Sequence, residues 1–185
     1  MSDWDARYRE GSYDMEARPH ELLVRFAPII PKGTVIDIAS GSGKDILFLA
    51  EEGYSVYGLD KSGEALKIAR EAATARGQTI HLVKGDASAL PFKKESASAV
   101  FVFYFLLKDM MGEIVDLVEK DGILIYETFL KRQNRIDRWR NPDYLLEDGE
   151  LLACFGALDL LFYEETITSV RGKRKAIAQY VGRKR

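Results

Sequence analysis

Apolar runs and more polar segments alternate through the first two thirds of the chain. The runs at residues 35–39, 55–59, 99–103 and 123–129 have the mostly hydrophobic composition of parallel strands that are buried on both faces. Residues 44–50, which lie between the first two runs, are predicted to form a helix. This alternation predicts an α/β fold, in which right-handed crossovers place helices on both faces of a mostly parallel, Rossmann-like sheet.

Two further segments have helical periodicity. Ser62 is placed to act as an N-cap, and after it small apolar residues recur at spacings of three and four, which gives a narrow face that can lie close to a sheet. These residues are Ala65, Ile68, Ala69, Ala72 and Ala73. A second helix face is formed by Leu107, Met110, Met111, Ile114 and Val118.

The C-terminal third has a different pattern. Two strand-like runs, 158–167 and 175–181, flank a polar turn at 170–173 and predict an antiparallel hairpin at the end of the sheet. Residues 130–148 are rich in charge and leave the predicted ligand-binding edge of the sheet. We interpret this segment as a candidate substrate lid.

A glycine-rich loop follows the first predicted strand. Gly41 and Gly43 lack a side chain where the backbone must approach a ligand closely or adopt a positive φ. A dinucleotide fingerprint requires another small residue at position 44 or 46, but Lys44 and Ile46 stand there. A phosphate-binding P-loop does not fit either, because Asp45 replaces the serine or threonine that should follow the lysine. The loop therefore indicates a nucleotide-like ligand of another kind.

Three consecutive strands each end near an aspartate. Asp37 lies near the end of the first strand, Asp60 closes the second, and Asp86 belongs to the segment 80–87 that repeats this design. An acid at the end of the second strand suits a ribose diol, whose two hydroxyls donate to one carboxylate. The carboxyl ends of parallel strands form the ligand-binding edge of open α/β sheets, so the three acids are expected to lie close together.

With these motifs in this order, the chain resembles the class I S-adenosylmethionine-dependent methyltransferases over residues 4–129. The resemblance implies a seven-stranded sheet, S-adenosylmethionine as the cofactor and methyl transfer as the activity. The residues expected beside the methionine end of the cofactor are Asp37, Ala39, Ser40, Gly41 and Gly43. Those expected farther along it are Asp60 and Lys61 at the ribose, Asp86 and Ala87 at the adenine, and Phe103 and Tyr104 by the methyl group and substrate. Ala39 stands where this family usually has glycine.

Two other segments are similar to a small-molecule subset of that family, the tellurite- and thiopurine-type enzymes. They are the Trp-x-x-x-Tyr element at residues 4–8 and the Asn-Pro-Asp-Tyr-Leu-Leu stretch at 141–146. The same Asn-Pro-Asp-Tyr sequence resembles the motif of amino-methyltransferases, but that motif belongs after the fourth strand and here it follows the fifth. We therefore favour a proline-initiated turn at this position.

The resemblance implies direct in-line methyl transfer to a small-molecule acceptor, driven mostly by positioning and by exclusion of water. No essential base is expected. An oxygen or amine acceptor would need a proton acceptor, for which the candidates are Tyr104, Glu127 and His20. The alternatives are a catalytically silent module that binds S-adenosylmethionine, and an RNA or protein methyltransferase.

Composition limits the remaining possibilities. The 185 residues, 46% apolar and 30% charged with a net charge of −2, fit a single domain that has no general attraction to nucleic acid or membranes. We expect residues 1–185 to form one domain with an N-terminal helical cap at 1–30. The longest apolar run, 99–107, is too short to span a bilayer, and the charged N-terminal sequence does not resemble a signal peptide. A single cysteine, Cys154, is expected to be buried and favours the cytoplasm.

Charge and histidine patterns add weaker expectations. His20 and His81 lack metal-ligand spacing, so no metal is predicted. One group of basic residues lies near the predicted site. We favour a solvated loop over a binding site for an anionic substrate at these positions: Lys131, Arg132, Arg135, Arg138 and Arg140. A second group of basic residues lies in the C-terminal hairpin. We favour protection of the sheet edge against aggregation over RNA binding for these residues: Arg171, Lys173, Arg174, Lys175, Arg183, Lys184 and Arg185. The sequence leaves a monomer and a homodimer open.

Overall fold

The computed structural model describes residues 3–11, 18–137, 140–170 and 172–185. The strands are β1 (Thr34–Ile38), β2 (Ser55–Asp60), β3 (His81–Lys84), β4 (Ala97–Phe103), β5 (Val118–Phe129), β6 (Asp159–Val170) and β7 (Lys173–Arg183). They form one seven-stranded sheet in the order β3-β2-β1-β4-β5-β7-β6.

The helices, of which the first two precede β1, are mostly short. They are α1 (Trp4–Arg9), α2 (Glu21–Phe26), α3 (Lys44–Glu51), α4 (Gly63–Ala75), α5 (Met111–Leu117) and α6 (Glu150–Cys154). The predicted N-cap of α4 is confirmed, because the Ser62 hydroxyl accepts a hydrogen bond from the Ala65 N–H at 3.1 Å. Within the described residues, no helix combines the length and apolar character needed to cross a membrane.

Strand pairing confirms the predicted topology. The first five strands pair in parallel, whereas β7 is antiparallel to both β5 and β6. The chain leaves β1 toward β2 and β3 and later returns to β4 on the other side of β1. This reversal between β1 and β4 is the switch point at which open α/β sheets bind ligands.

The hydrophobic core lies on both faces of the sheet. Because side chains alternate along a strand, neighbouring residues of one strand reach opposite layers. Val100 and Leu124 belong to the layer that packs on α5, whereas Phe101 and Ile123 belong to the layer that packs on α2 and α3. Every residue of β4 is buried, as its continuous apolar sequence predicts.

Two expectations about the second half of the chain are wrong. The fifth strand begins at Val118, which leaves α5 to pair with Ala97 and is therefore not part of a helix face. Cys154 is exposed and not a core thiol. The five-residue helix α6 directs Leu151 inward, Phe155 after it is also buried, and Cys154 lies on the outer side between them.

The division into one domain with a helical cap stays a prediction. Of the predicted cap, α1, α2 and a 3₁₀ turn at Ala27–Ile29 are described, whereas residues 1–2 and 12–17 lie outside the described residues. The cationic residues Arg138 and Arg171 also lie outside them.

Candidate active site

A cavity of about 570 Å³ opens at the carboxyl ends of the parallel strands. Its volume falls within the range of about 300–1,000 Å³ that is typical of small-molecule sites. Residues from α1, the loops after β1 to β5, and the segment after β5 line it: Trp4, Arg7, Tyr8, Ala39, Leu59, Asp60, Lys61, Gly85, Asp86, Ala87, Phe103, Tyr104, Phe105, Leu106, Phe129, Arg140, Asn141, Tyr144 and Leu145.

The structure brings most of the predicted site residues to this cavity. Those that line it are Ala39, Asp60, Lys61, Asp86, Ala87, Phe103 and Tyr104. The rest of the glycine-loop set lies buried behind the cavity wall: Asp37, Ser40, Gly41 and Gly43. His20 and Glu127 are not among the lining residues either.

Asp60, at the end of β2, organises the loop after β1. Its two carboxylate oxygens accept hydrogen bonds from the backbone N–H groups of Gly41 and Ser62, each at 2.8 Å. Burial raises the pKa of Asp60, and these N–H donors oppose that shift. Each carboxylate oxygen can accept more than one hydrogen bond, so Asp60 can also bind donors in the cavity.

Asp37 and Ser40 carry buried polar atoms with unused hydrogen-bonding capacity. Within the described residues, Oδ2 of Asp37 and Oγ of Ser40 have no hydrogen-bond partner. Burial raises the pKa of the Asp37 carboxyl well above its usual range, and the nearby Asp45 and Asp60 carboxylates raise it further. A cation placed close to these acids would relieve their mutual repulsion.

Asp86 has a different environment from the other two acids. It is exposed, and Oδ1 accepts the Ser88 N–H at 3.0 Å in the loop after β3. Hydrogen bonds from Ser88 lower the pKa of the Asp86 carboxyl, so it stays ionised at neutral pH. It is therefore available as an acceptor at the outer end of the cavity.

The glycine loop leaves no space for side chains at two positions. Gly41 has a φ of +54°, and a Cβ there would come within 2.5 Å of the Tyr8 hydroxyl. Gly43 has a φ of +79°, and a Cβ there would come within 2.8 Å of Ala69 Cβ on α4. Both glycines are thus required by left-handed backbone and by close packing, as their places in the loop predict.

Ala39 is strained in the same loop. Its φ is +62°, in the left-handed region that disfavours a residue with a Cβ. Substitution Ala39→Gly is therefore expected to stabilise the protein by about 0.5–1 kcal/mol, since relief of the strain outweighs the entropy that glycine adds to the unfolded chain. Urea denaturation measures the change. Ala72→Gly, in the interior of α4, is the control, because the same change is expected there to lower the unfolding free energy by about 1 kcal/mol. A destabilised Ala39→Gly variant would contradict the assignment of strain.

Aromatic rings and cations form the other end of the cavity. Tyr104 follows β4 with a φ of +55°, and its ring lies 4.9 Å from that of Phe129. The Arg140 guanidinium lies 4.1 Å from the centre of the Phe129 ring. The Lys175 ammonium lies 4.3 Å from the centre of the Tyr104 ring and donates to its hydroxyl at 3.2 Å. Cation–π contacts of this kind hold the two rings in place.

The segment after β5 reaches this end of the cavity. Asn141 accepts the Asp143 N–H at 3.1 Å and caps a 3₁₀ turn at Pro142–Tyr144, which confirms the predicted proline-initiated turn. Asn141, Tyr144 and Leu145 also line the cavity. Farther back, Lys131 pairs with Glu147, and Arg132 pairs with Asp148 and Glu165. Those two cations are therefore held in ion pairs and do not line the cavity.

A buried Asp45–His20 pair adjoins the site and was missed by the sequence patterns. Asp45 accepts the His20 backbone N–H at 2.8 Å, and its second oxygen lies 2.7 Å from Nδ1 of the His20 ring. The ring stacks on Phe103 with a centroid distance of 4.0 Å and lies 5.4 Å from the Tyr104 ring. Asp45, in the first turn of α3, thus fixes the start of α2 against the end of β4. No local pattern links residues that are 25 positions apart.

Comparison with known proteins supports the fold. Residues 35–122 match a family model described as a methyltransferase domain. They contain the glycine loop and the three predicted acids, of which Asp60 and Asp86 line the cavity and Asp37 lies buried in β1. Over these residues the chain is similar to a methyltransferase domain. S-adenosylmethionine is accordingly its cofactor.

A demethylmenaquinone methyltransferase from Renibacterium salmoninarum is 30% identical to this chain over 117 residues, which cover 60% of the chain and 48% of that protein. The chain thus spans about half the length of the curated relatives it first matches. TehB from Haemophilus influenzae has a TM-score of 0.80 at 17% identity, covering 98% of this chain and 66% of that one. A methyltransferase from Methanosarcina mazei has a TM-score of 0.72 at 19% identity, covering 90% of this chain and 98% of that one. These structures show a shared fold.

The residues of the cavity fit S-adenosylmethionine. Asp60 retains acceptor capacity for the ribose hydroxyls, and Asp86 offers an acceptor at the outer end. Oδ2 of Asp37 and Oγ of Ser40 are unsatisfied buried atoms beside the loop, which suits the polar and cationic groups of the methionine end. Among the described residues, no group of three or more His, Cys, Asp or Glu side chains is arranged to hold a metal ion.

Proposed function

We propose that the protein transfers the methyl group of S-adenosylmethionine to a small-molecule acceptor. The observation that carries this proposal is the cavity itself, which joins the acids at the ends of β2 and β3 to the aromatic residues at the ends of β4 and β5. When bound, the cofactor supplies a methyl group that is already activated by a sulfonium. The protein then has to hold an acceptor in line with that group and exclude water.

The charge distribution supports the cofactor's orientation. Asp37, Asp45 and Asp60 lie close enough for the last two to raise the pKa of the first. Repulsion among these carboxyl groups favours a ligand that brings positive charge to the glycine loop, as the methionine end of S-adenosylmethionine does. The acceptor would then occupy the end of the cavity that Tyr104, Phe129 and Tyr144 line.

The surroundings of the three candidate bases support catalysis through positioning. Glu127 is buried and accepts a hydrogen bond from Gln179 at 2.6 Å. His20 is held by Asp45 behind Phe103. Of the three, Tyr104 alone lines the cavity formed by the described residues, and its hydroxyl accepts a hydrogen bond from Lys175. An acceptor that ionises readily, such as a thiol, therefore fits the site best.

A nucleic-acid acceptor has less support. The cationic residues of the C-terminal hairpin lie at opposite ends of β7, which extends over roughly 30 Å. At the far end, Lys184 pairs with Glu95 and Arg185 with Asp159. These cations therefore do not make one continuous surface along a phosphate backbone.

Turnover of S-adenosylmethionine to S-adenosylhomocysteine tests the proposal. The protein is incubated with S-adenosylmethionine and panels of small thiols, phenols, amines and isoprenoid quinols, with RNA as the alternative acceptor. We expect release of S-adenosylhomocysteine with at least one small molecule and none with RNA. Cofactor binding without turnover on any panel would instead support the silent binding module, and turnover on RNA alone would contradict the small-molecule assignment.

A further inference from the structure

Helix α1 forms part of the outer wall of the cofactor cavity. Its residues Trp4, Arg7 and Tyr8 line the cavity, although α1 lies far from the glycine loop and the acids in sequence. Its first turn is capped by Asp3, which accepts the Ala6 N–H at 3.0 Å. A helix of six residues is marginal by itself, so α1 depends on contacts with the rest of the fold to stay in place.

Asp5 supplies two hydrogen bonds between α1 and the start of α4. Its Oδ1 atom accepts the Ser62 hydroxyl at 2.6 Å and the Glu64 backbone N–H at 3.2 Å. Ser62 is 1% exposed, whereas the Asp5 carboxylate that accepts its hydroxyl proton is only half-buried. The additional ion pair between Arg9 and Glu64 is long, at 3.9 Å, and half exposed, so it contributes little.

The same turn holds the acid that faces the ribose. The Ser62 N–H donates to Asp60, and Asp60 in turn accepts the N–H of Gly41 in the glycine loop. A continuous series of hydrogen bonds therefore runs from Asp5 on α1 through Ser62 to Asp60 and Gly41. Movement of α1 away from Ser62 would act on both the outer wall of the cavity and the turn that positions Asp60.

We propose that Asp5 is a positioning residue that fastens α1 over the bound cofactor, so that its contacts with Ser62 and Glu64 must break before the cofactor leaves. This inference rests on S-adenosylmethionine and its product occupying the cavity. We call these three residues the Asp5 latch. Asp5 does not line the cavity, and it acts by holding Trp4 and Tyr8 in the wall.

The charges around the Asp5 latch are consistent with a closed state at neutral pH. The Ser62 hydroxyl and the Glu64 N–H lower the pKa of the Asp5 carboxyl, and Lys84 on β3 and Arg9 on α1 lower it further. Because this pKa lies below that of the unfolded chain, the contact is present at neutral pH. It is lost only as the pH falls through the lowered value.

The test is the rate at which S-adenosylhomocysteine leaves the full-length protein, measured by stopped-flow displacement. Asp5→Ala is expected to raise the dissociation rate constant by about tenfold or more, because a charge-assisted hydrogen bond is lost while the cavity acids remain. Glu10→Ala is the matched control, since it removes the same charge from the exposed end of α1 without touching α4. We expect that control to change the rate by less than about twofold.

A double-mutant cycle separates the latch from a general loss of stability. If Asp5 acts by docking α1, Trp4→Ala raises the dissociation rate in the wild type but adds little once Asp5 is alanine. Additive effects of the two substitutions, or an unchanged rate in Asp5→Ala, would overturn the proposal. If the wild type binds neither S-adenosylmethionine nor S-adenosylhomocysteine, it is the proposed function that fails. If the wild type binds tightly and Asp5→Ala leaves the dissociation rate unchanged, the proposed role of Asp5 is wrong but the proposed function stands.

Discussion

Removal of the Asp60 carboxylate is expected to weaken S-adenosylhomocysteine binding by between about tenfold and a hundredfold, or about 1.4–2.7 kcal/mol. Asp60 would accept both ribose hydroxyls, and hydrogen bonds to a charged acceptor are stronger than neutral ones. Asp60→Ala also releases the N–H groups of Gly41 and Ser62, which the carboxylate holds at 2.8 Å. The substitution therefore removes a ligand contact and loosens the loop that shapes the cavity.

Isothermal titration of wild type and Asp60→Ala with S-adenosylmethionine and S-adenosylhomocysteine measures this effect, with NADH as the control ligand. Asp60→Asn is the matched variant, since it keeps an oxygen acceptor but loses the charge, and its loss of affinity should be smaller. An Asp60→Ala variant that binds either adenosyl ligand as tightly as the wild type would contradict the role of this acid.

His20→Ala is expected to cost about 3 kcal/mol of unfolding free energy, because it leaves a buried carboxylate without its side-chain partner. Asp45 has 4% of its side chain exposed, and Oδ2 loses its contact with Nδ1 when the ring is removed. The ring stack on Phe103 is lost as well, which adds to the cost. For a chain of this length, the expected decrease in Tm is about 6–12 °C.

Thermal and urea denaturation of three variants tests the assignment. His81 is a suitable control because it also stacks on an aromatic ring, that of Tyr57 at 4.5 Å, but lies on the surface. His81→Ala should therefore change stability by no more than about 1 kcal/mol. His20→Asn retains a donor for Asp45 and should recover part of the loss. Equal effects of His20→Ala and His81→Ala would show that the Asp45 contact contributes little.

The sequence predicted those parts of the site in which a residue's expected role is visible from its neighbours along the chain. Gly41 and Gly43 lie where the backbone turns, and Asp60 closes an apolar run, so each can be recognised from its immediate neighbours. The alternation of strands and helices predicted a mostly parallel α/β sheet, whereas the seven-stranded arrangement was implied by the family resemblance. Ala39 shows the limit of such rules, because an alanine there gives no sign of the left-handed conformation that the loop imposes on it.

Contacts between distant segments could not be predicted. Asp5 and Ser62 are 57 positions apart, and His20 and Asp45 are 25 apart. Their pairing depends on how α1 and α2 dock on the finished sheet, which no periodicity encodes. His20 was an isolated histidine in the sequence, and Asp45 was merely a residue that disfavoured phosphate. Only the fold brings these two side chains together in a buried pair.

The position of β7 has a consequence for synthesis of the chain on the ribosome. This strand follows β6 in sequence but is inserted between β5 and β6, and it supplies the hydrogen-bonding partners of both. Until residues 173–183 leave the exit tunnel, the edge of β5 is open and β6 has no neighbour in the sheet. The nascent protein therefore presents an apolar, unpaired strand edge until β7 emerges, a state in which association with other chains competes with folding.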